Sequence, residues 1–206
     1  MEVSLEVLMS CVRKLFVRAV LWTLFLAPAP AFGNSPTEQI QETIQQVLTL
    51  VNAQATVGEA TRKQSLRETI MPRFDWPEMA KQTLGKHWDN VPSRHDEFIA
   101  AFADFLGNSY VGKIGSYKDE KILYLHETVE NGRAQVKTKI VPSKGEPTSV
   151  NYQLHQVQGE WKIYDVVIED VSLVVNYRSQ FNRILTRGSF DDLLRQMKEK
   201  DSKSLN

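Results

Sequence analysis

Cysteine is nearly absent from this sequence of 206 residues, in which Cys11 is the only one. A single thiol excludes a disulfide framework, a thiolate metal site and a redox pair within one chain. An excess of charge of one sign is also lacking, because 25 Lys and Arg balance 25 Asp and Glu and no basic run reaches five residues. Such a surface lacks the electrostatic footprint of a nucleic-acid-binding protein, so neither DNA nor RNA is expected as a partner.

Motifs that carry catalysis or metal binding are missing as well. The four histidines, His87, His95, His126 and His155, never occur at the three- or four-residue spacing that places two metal ligands on one helix face. No Gly-x-Ser-x-Gly sequence occurs, and residues 112–115 lack the length and the following Lys-Ser/Thr of a phosphate loop. We therefore expect no metal, no cofactor and no enzymatic activity.

The first 33 residues differ from the rest in composition. Arg13, Lys14 and Arg18 precede an apolar run over residues 19–26, and small residues follow over 27–33. This order is typical of a secretory signal peptide, and the apolar run is shorter than the roughly 20 residues that a membrane-spanning helix needs. We predict a cleaved leader over residues 1–33 and a single exported domain over residues 34–206. A retained membrane anchor is the alternative.

Helical patterns occupy the first half of the predicted domain. Ser35, Pro36 and Glu38 form the start signal of a helix, and a second helix is predicted over residues 61–69. Asp75 starts a third helix that ends at Gly85. A fourth helix, with Ser93 as its cap, has a broad apolar stripe consisting of Phe98, Ile99, Phe102, Phe105, Leu106 and Tyr110.

From residue 121 the hydrophobic period changes from about 3.6 to 2, which indicates strands. Four strands are predicted, over residues 122–129, 133–141, 149–157 and 161–168, with a tight turn at Asn131-Gly132. Two further helices are predicted over residues 171–185 and 190–200. This order predicts an α+β domain with helices packed on one face of a curved antiparallel sheet of about four strands.

Two features of this pattern allow more than one interpretation. Strict alternation along the last strand points Asp165 toward the helices together with Ile163 and Val167, where a carboxyl could act as a proton-transfer base. The alternative is an Asp at the sheet rim that accepts hydrogen bonds or pairs with Arg178 or Arg183. The aromatic stripe, likewise, is either solid core or the wall of an apolar ligand cavity.

An ordered series of short motifs over roughly residues 40–198 resembles the MlaC family, the toluene-tolerance periplasmic proteins. The motifs of the helical half are Phe74-Asp75, Ala80, Leu84-Gly85, Trp88, Phe98, Phe102, Leu106, Ser109-Tyr110, Ile114 and Tyr117. Those of the second half are Trp161 to Val166, Glu169, Val171-Ser172-Leu173, Asn176-Tyr177-Arg178, Phe181, Gly188, Leu193-Leu194 and Lys198. Asp170 stands where the resemblance leads us to expect glycine.

The resemblance implies an NTF2-like fold that holds the acyl chains of a lipid between sheet and helices. It also implies a periplasmic phospholipid carrier that docks transiently on two membrane-protein partners. These are an inner-membrane Mla-type ABC transporter complex and an outer-membrane lipoprotein complex, and the implied role is maintenance of outer-membrane lipid asymmetry. A hopanoid-associated branch, HpnM, is similar enough to make a polycyclic lipid the alternative ligand, and an isomerase or dehydratase using Asp165 is the alternative activity.

Candidate lipid-binding residues follow from the helical stripe and from the shared parity within each strand. The helical side contributes Phe102, Leu106, Tyr110 and Ile114, and the sheet contributes Val136, Tyr152, Leu154, Ile163 and Val167.

Overall fold

The computed structural model describes residues 34–52, 58–114 and 120–204, so the predicted leader lies outside the described residues. No helix in these three ranges is both long enough and apolar enough to cross a membrane. Three short 3-10 turns, Met71–Arg73, Gly85–Asn90 and Pro92–Arg94, connect the helices of the first half. The α-helices are α1 Pro36–Asn52, α2 Glu59–Ile70, α3 Trp76–Leu84, α4 His95–Ile114, α5 Leu173–Arg187 and α6 Phe190–Ser204.

The sheet is antiparallel, curved and unclosed, and its strands lie in chain order from β1 to β5. Two irregularities interrupt the pairing, one between Tyr124 and His126 in β1 and one in β4, where Tyr164 is an extra residue opposite Gln153. The strands are β1 Lys121–Glu130, β2 Arg133–Val141, β3 Thr148–Val157, β4 Glu160–Ile168 and β5 Val171–Ser172.

Local capping fixes the start of two helices as the sequence predicts. The backbone N–H of Glu38 donates to Ser35 Oγ at 3.2 Å, and the Ser35 N–H donates to Glu38 Oε2 at 2.8 Å, which completes a capping box for α1. Asp75 Oδ1 accepts from the Glu78 N–H at 2.9 Å at the start of α3. Both contacts involve residues three apart, so short-range sequence signals suffice to predict them.

Buried side chains form two large clusters and not one continuous core. The helical cluster joins α3, α4, α5 and α6 around Phe98 and Phe102, which are fully buried. The sheet cluster joins α1 to the inner face of the sheet around Val136 and Leu154. Phe74 packs against both clusters. The aromatic face of α4 therefore packs mainly on other helices, which leaves space between the helices and the sheet.

The predicted α+β class, with helices against a curved antiparallel sheet, is confirmed, and the four predicted strands are present. The short strand β5 was not expected, because the sequence pattern assigns Val171 and Ser172 to the following helix. They instead pair with Ile168 and Val167 of β4. Ser172 then caps α5 by accepting a hydrogen bond from the Val175 N–H at 3.0 Å.

The turn between β4 and β5 explains why glycine is expected at position 170. Glu169 and Asp170 both have positive φ, at 46° and 62°. Two-residue hairpin turns of this kind favour glycine, because a Cβ atom crowds the backbone in the left-handed region. We expect Asp170→Gly to raise the free energy of unfolding by about 0.5–1 kcal/mol and Asp170→Val to lower it. Urea unfolding of both variants checks this, and a less stable glycine variant would contradict it.

Candidate functional site: two apolar cavities with a common wall

Two cavities lie between the helices and the inner face of the sheet. The larger, cavity A, has a volume of about 340 Å³, within the usual range for small-molecule sites. Its described lining consists of Ile70, Met71, Phe74, Trp76, Met79, Leu106, Gly107, Tyr110, Val111, Ile114, Ile140, Thr148, Val150, Tyr152, Val166, Ile168 and Leu173.

Cavity B, of about 160 Å³, lies beside α1. The amphipathic face of α1 supplies one side of it, and the inner face of β1, β2, β3 and β4 supplies the other. The described lining consists of Ile40, Thr43, Ile44, Val47, Leu48, Ile70, Arg73, Phe74, Ile114, Glu120, Ile122, Ile140, Tyr152 and Ile163.

The two cavities have a common wall. Ile70, Phe74, Ile114, Ile140 and Tyr152 line both of them. These residues come from the end of α2, the segment before α3, the end of α4 and the middle strands of the sheet. The two apolar cavities therefore lie next to each other between the helices and the sheet, on either side of this wall.

Cavity A presents almost only nonpolar surface. No charged residue occurs in its described lining. The Tyr110 hydroxyl is hydrogen-bonded to Tyr177, which lies behind the wall among the rings of Phe102, Phe105 and Phe181. Burial, and to a smaller extent Tyr110, raises the pKa of Tyr177 well above its usual value, so this phenol stays neutral at physiological pH. Cavity A therefore suits hydrocarbon and offers no charge to a polar headgroup.

The structure brings five of the nine predicted site residues to these walls. Leu106, Tyr110, Ile114 and Tyr152 line cavity A, and Ile114, Tyr152 and Ile163 line cavity B. Their contact with a lipid stays a prediction.

The other four predicted residues lie elsewhere. Phe102 belongs to the helical cluster, and Val136 and Leu154 belong to the sheet cluster; none of the three is in the lining of either cavity. The predicted inward orientation of Val167 is wrong, because the extra residue in β4 reverses the alternation. Val167 pairs with Asn151, whereas its neighbours Val166 and Ile168 face cavity A.

Comparison with known proteins identifies the family. The model of the MlaC protein family matches residues 41–199. This chain belongs to the MlaC family. In the part of the chain that the structure describes, no group of three or more His, Cys, Asp and Glu side chains could hold a metal ion.

Relatives of this MlaC-family chain are distant in sequence. It is 20% identical over 146 residues to the intermembrane phospholipid transport system binding protein MlaC of Haemophilus influenzae, an alignment that covers 68% of each chain. It is 26% identical over 102 residues to the toluene tolerance protein ttg2D of Pseudomonas putida, which covers 49% of this chain and 47% of that protein. The phospholipid-binding protein of Ralstonia solanacearum, solved in complex with a phospholipid, has the same fold, with a TM-score of 0.74 at 18% identity over 84% of this chain and all of that one.

Asp165 does not face either cavity in this MlaC-family structure. It lies in the irregular part of β4 and accepts hydrogen bonds from Ser172 Oγ at 2.5 Å, the Val166 N–H at 2.9 Å and the Val174 N–H at 3.1 Å. The expectation that Asp165 points toward the ligand space is therefore wrong. Its carboxylate holds the start of α5 against the end of the sheet, in agreement with the alternative interpretation.

Substitution of Asp165 should affect stability and not lipid binding. We expect Asp165→Ala to lower the free energy of unfolding by about 2–3 kcal/mol, because the buried Val174 N–H loses its acceptor. Asp165→Asn keeps an acceptor oxygen and should lower the free energy of unfolding by only about 1 kcal/mol. Urea unfolding, with lipid uptake measured on the folded variants, checks both values. Loss of uptake at unchanged stability would instead show that Asp165 acts on the ligand.

Proposed function

We propose that this chain is a periplasmic carrier that encloses one two-chain phospholipid, with one acyl chain extending into cavity A and the other into cavity B. The observation that carries the proposal is the common wall. Two apolar cavities that share Ile70, Phe74, Ile114, Ile140 and Tyr152 suit two chains that are joined at one glycerol. The Ralstonia relative was solved with a phospholipid bound, which supports the same ligand class.

The energetics explain why such a ligand needs a carrier. Two acyl chains of about 15 methylenes each, at ~0.8 kcal/mol per methylene, would cost on the order of 20 kcal/mol to expose to water. A protein that encloses them moves the lipid across an aqueous compartment without any chemical reaction. Family membership fits this role, because the Haemophilus relative is a binding protein of an intermembrane phospholipid transport system.

The proposed partners are an inner-membrane ABC transporter complex and an outer-membrane lipoprotein complex, with residues 1–33 as the export signal. A carrier shifts lipid between membranes only through differential affinity, so the direction of transport depends on these partners. Maintenance of outer-membrane lipid asymmetry is the resulting physiological role.

Native mass spectrometry of protein expressed from the full chain and isolated from the periplasm tests the ligand. We expect one phospholipid per chain, and delipidated protein should take phospholipid up again from vesicles. A bound mass in the hopanoid range would show that the ligand is a polycyclic lipid and not a phospholipid. Protein that carries no lipid and takes none up from vesicles would refute the carrier function.

A further inference from the structure

Cavity B has a cation in its lining that forms no ion pair with any of the residues that the structure describes. Arg73 is half-buried in its lining, and among the described residues the guanidinium has no hydrogen bond or ion pair. It acts only weakly on Glu160, whose pKa is lowered mainly by Lys162 and to a smaller extent by Arg73. Glu160 is exposed and already forms an ion pair with Lys162 at 2.8 Å.

Glu120, the other charged residue of this lining, lies at the opposite end of the cavity. Phe74, the residue after Arg73, forms a bridge with Ile163 of β4. Because Ile163 is opposite Leu154 of β3, and Leu154 is opposite Ala134 of β2, Arg73 lies near the level of Ala134. Lys121, the residue after Glu120, pairs with Val141 of β2, so Glu120 lies near the level of Val141. These levels are roughly 24 Å apart along β2 at ~3.4 Å per residue.

The backbone around Arg73 is fixed on both sides. Pro72 C=O accepts a hydrogen bond from Lys162 Nζ at 2.9 Å, and the Asp75 N–H donates to Ile163 C=O at 2.8 Å. Phe74 is anchored in both core clusters. Arg73 is therefore held at the edge of β4 beside the wall that the two cavities share, before any ligand enters.

We propose that Arg73 binds the phosphate oxyanion of the lipid headgroup, so that the ligand is an anionic or phosphate-bearing amphiphile and not a neutral lipid. A half-buried cation beside an apolar cavity loses part of its hydration and is stabilised by a compensating anion. Guanidinium presents its N–H groups in a fork that matches two phosphate oxygens. This inference rests on the proposed lipid-carrier function and specifies which lipids the carrier selects.

A competition between two lipids that differ only in the phosphate tests the assignment. Delipidated protein is offered an equimolar detergent-solubilised mixture of dioleoyl phosphatidic acid and dioleoylglycerol, and bound lipid is counted by native mass spectrometry. We expect the wild-type protein to select phosphatidic acid and Arg73→Met to reduce the selection ratio by about tenfold, the effect of one lost charge-assisted hydrogen bond. Arg73→Lys should retain part of the preference.

Arg187→Met is the matched control, since it removes an exposed arginine that lies outside both linings. It should leave the ratio unchanged. An equal ratio for the wild type, Arg73→Met and Arg187→Met, with lipid bound in each, would overturn the role of Arg73 while leaving the carrier function intact. Failure of the wild type to bind either lipid would overturn both.

Free phosphate is the other source of the same oxyanion. Inorganic phosphate in large excess should not change the lipid ratio of the wild-type protein, because a free anion lacks the acyl chains that the cavities enclose. A ratio that collapses to the Arg73→Met value on addition of phosphate would assign Arg73 to a free-phosphate site and overturn the headgroup assignment.

Discussion

Ile140→Trp is expected to reduce phospholipid affinity by about 100-fold, because the indole would take up space in cavities A and B. Ile140 lines both cavities. Displacing about 3.5 methylenes from this space, at ~0.8 kcal/mol each, corresponds to this factor. The variant should stay folded, since the larger ring enters existing space and should not force a packed core apart. Uptake from fluorescent phospholipid vesicles, with thermal unfolding in parallel, measures both quantities.

Lys139→Trp is the matched control for this experiment. Lys139 is the neighbouring residue of β2 and pairs with Leu123 and Ser149, so its side chain lies on the outer face of the sheet. The same indole at this position should leave lipid uptake unchanged. If Ile140→Trp were folded and bound phospholipid as tightly as Lys139→Trp, the two cavities would not be the site of the acyl chains.

Much of the fold could be predicted because its signals are local. The capping residues Ser35 and Asp75 act on partners three residues away, and the turn at Asn131-Gly132 fixes one hairpin directly. Alternation along β2 correctly places Val136 inside, since β2 pairs residue by residue with β3 and no bulge interrupts this pairing. Elements of this kind depend on a few neighbouring residues and not on tertiary packing.

The candidate site could be predicted only in part, because its geometry depends on long-range contacts. The extra residue in β4 changes which of Val166 and Val167 faces the ligand space, and no sequence signal marks it. The apolar stripe of α1, which includes Ile40 and Ile44, is visible in the sequence, but periodicity shows that a face is buried and not whether protein or ligand covers it. Arg73 can be recognised as a candidate site residue only from its position in the lining of cavity B, which the sequence does not show.

Phe102 shows the same ambiguity, and its substitution separates core from cavity wall. The Phe102 ring is fully buried, with ring centroids of Phe98, Tyr177 and Phe181 at 5.8, 6.1 and 5.9 Å, and Trp76 lies edge-on at 6.5 Å. These packed partners cannot collapse into the space that the ring would leave. We therefore expect Phe102→Ala to lower the free energy of unfolding by about 4 kcal/mol. In a domain of this size, that corresponds to a fall in Tm of about 8–16 °C.

Tyr152→Ala provides the comparison, because Tyr152 is half-buried and lines both cavities. It should lower the free energy of unfolding less than Phe102→Ala does, since the Tyr152 side chain is only half-buried and faces cavity space, and it should change phospholipid affinity more. Differential scanning calorimetry of delipidated protein gives the first quantity, and lipid uptake by the folded fraction gives the second. A Phe102→Ala variant that keeps the wild-type Tm but loses its phospholipid would place Phe102 on the wall of the ligand site, and the helical cluster would then not be the solid core that its ring contacts indicate.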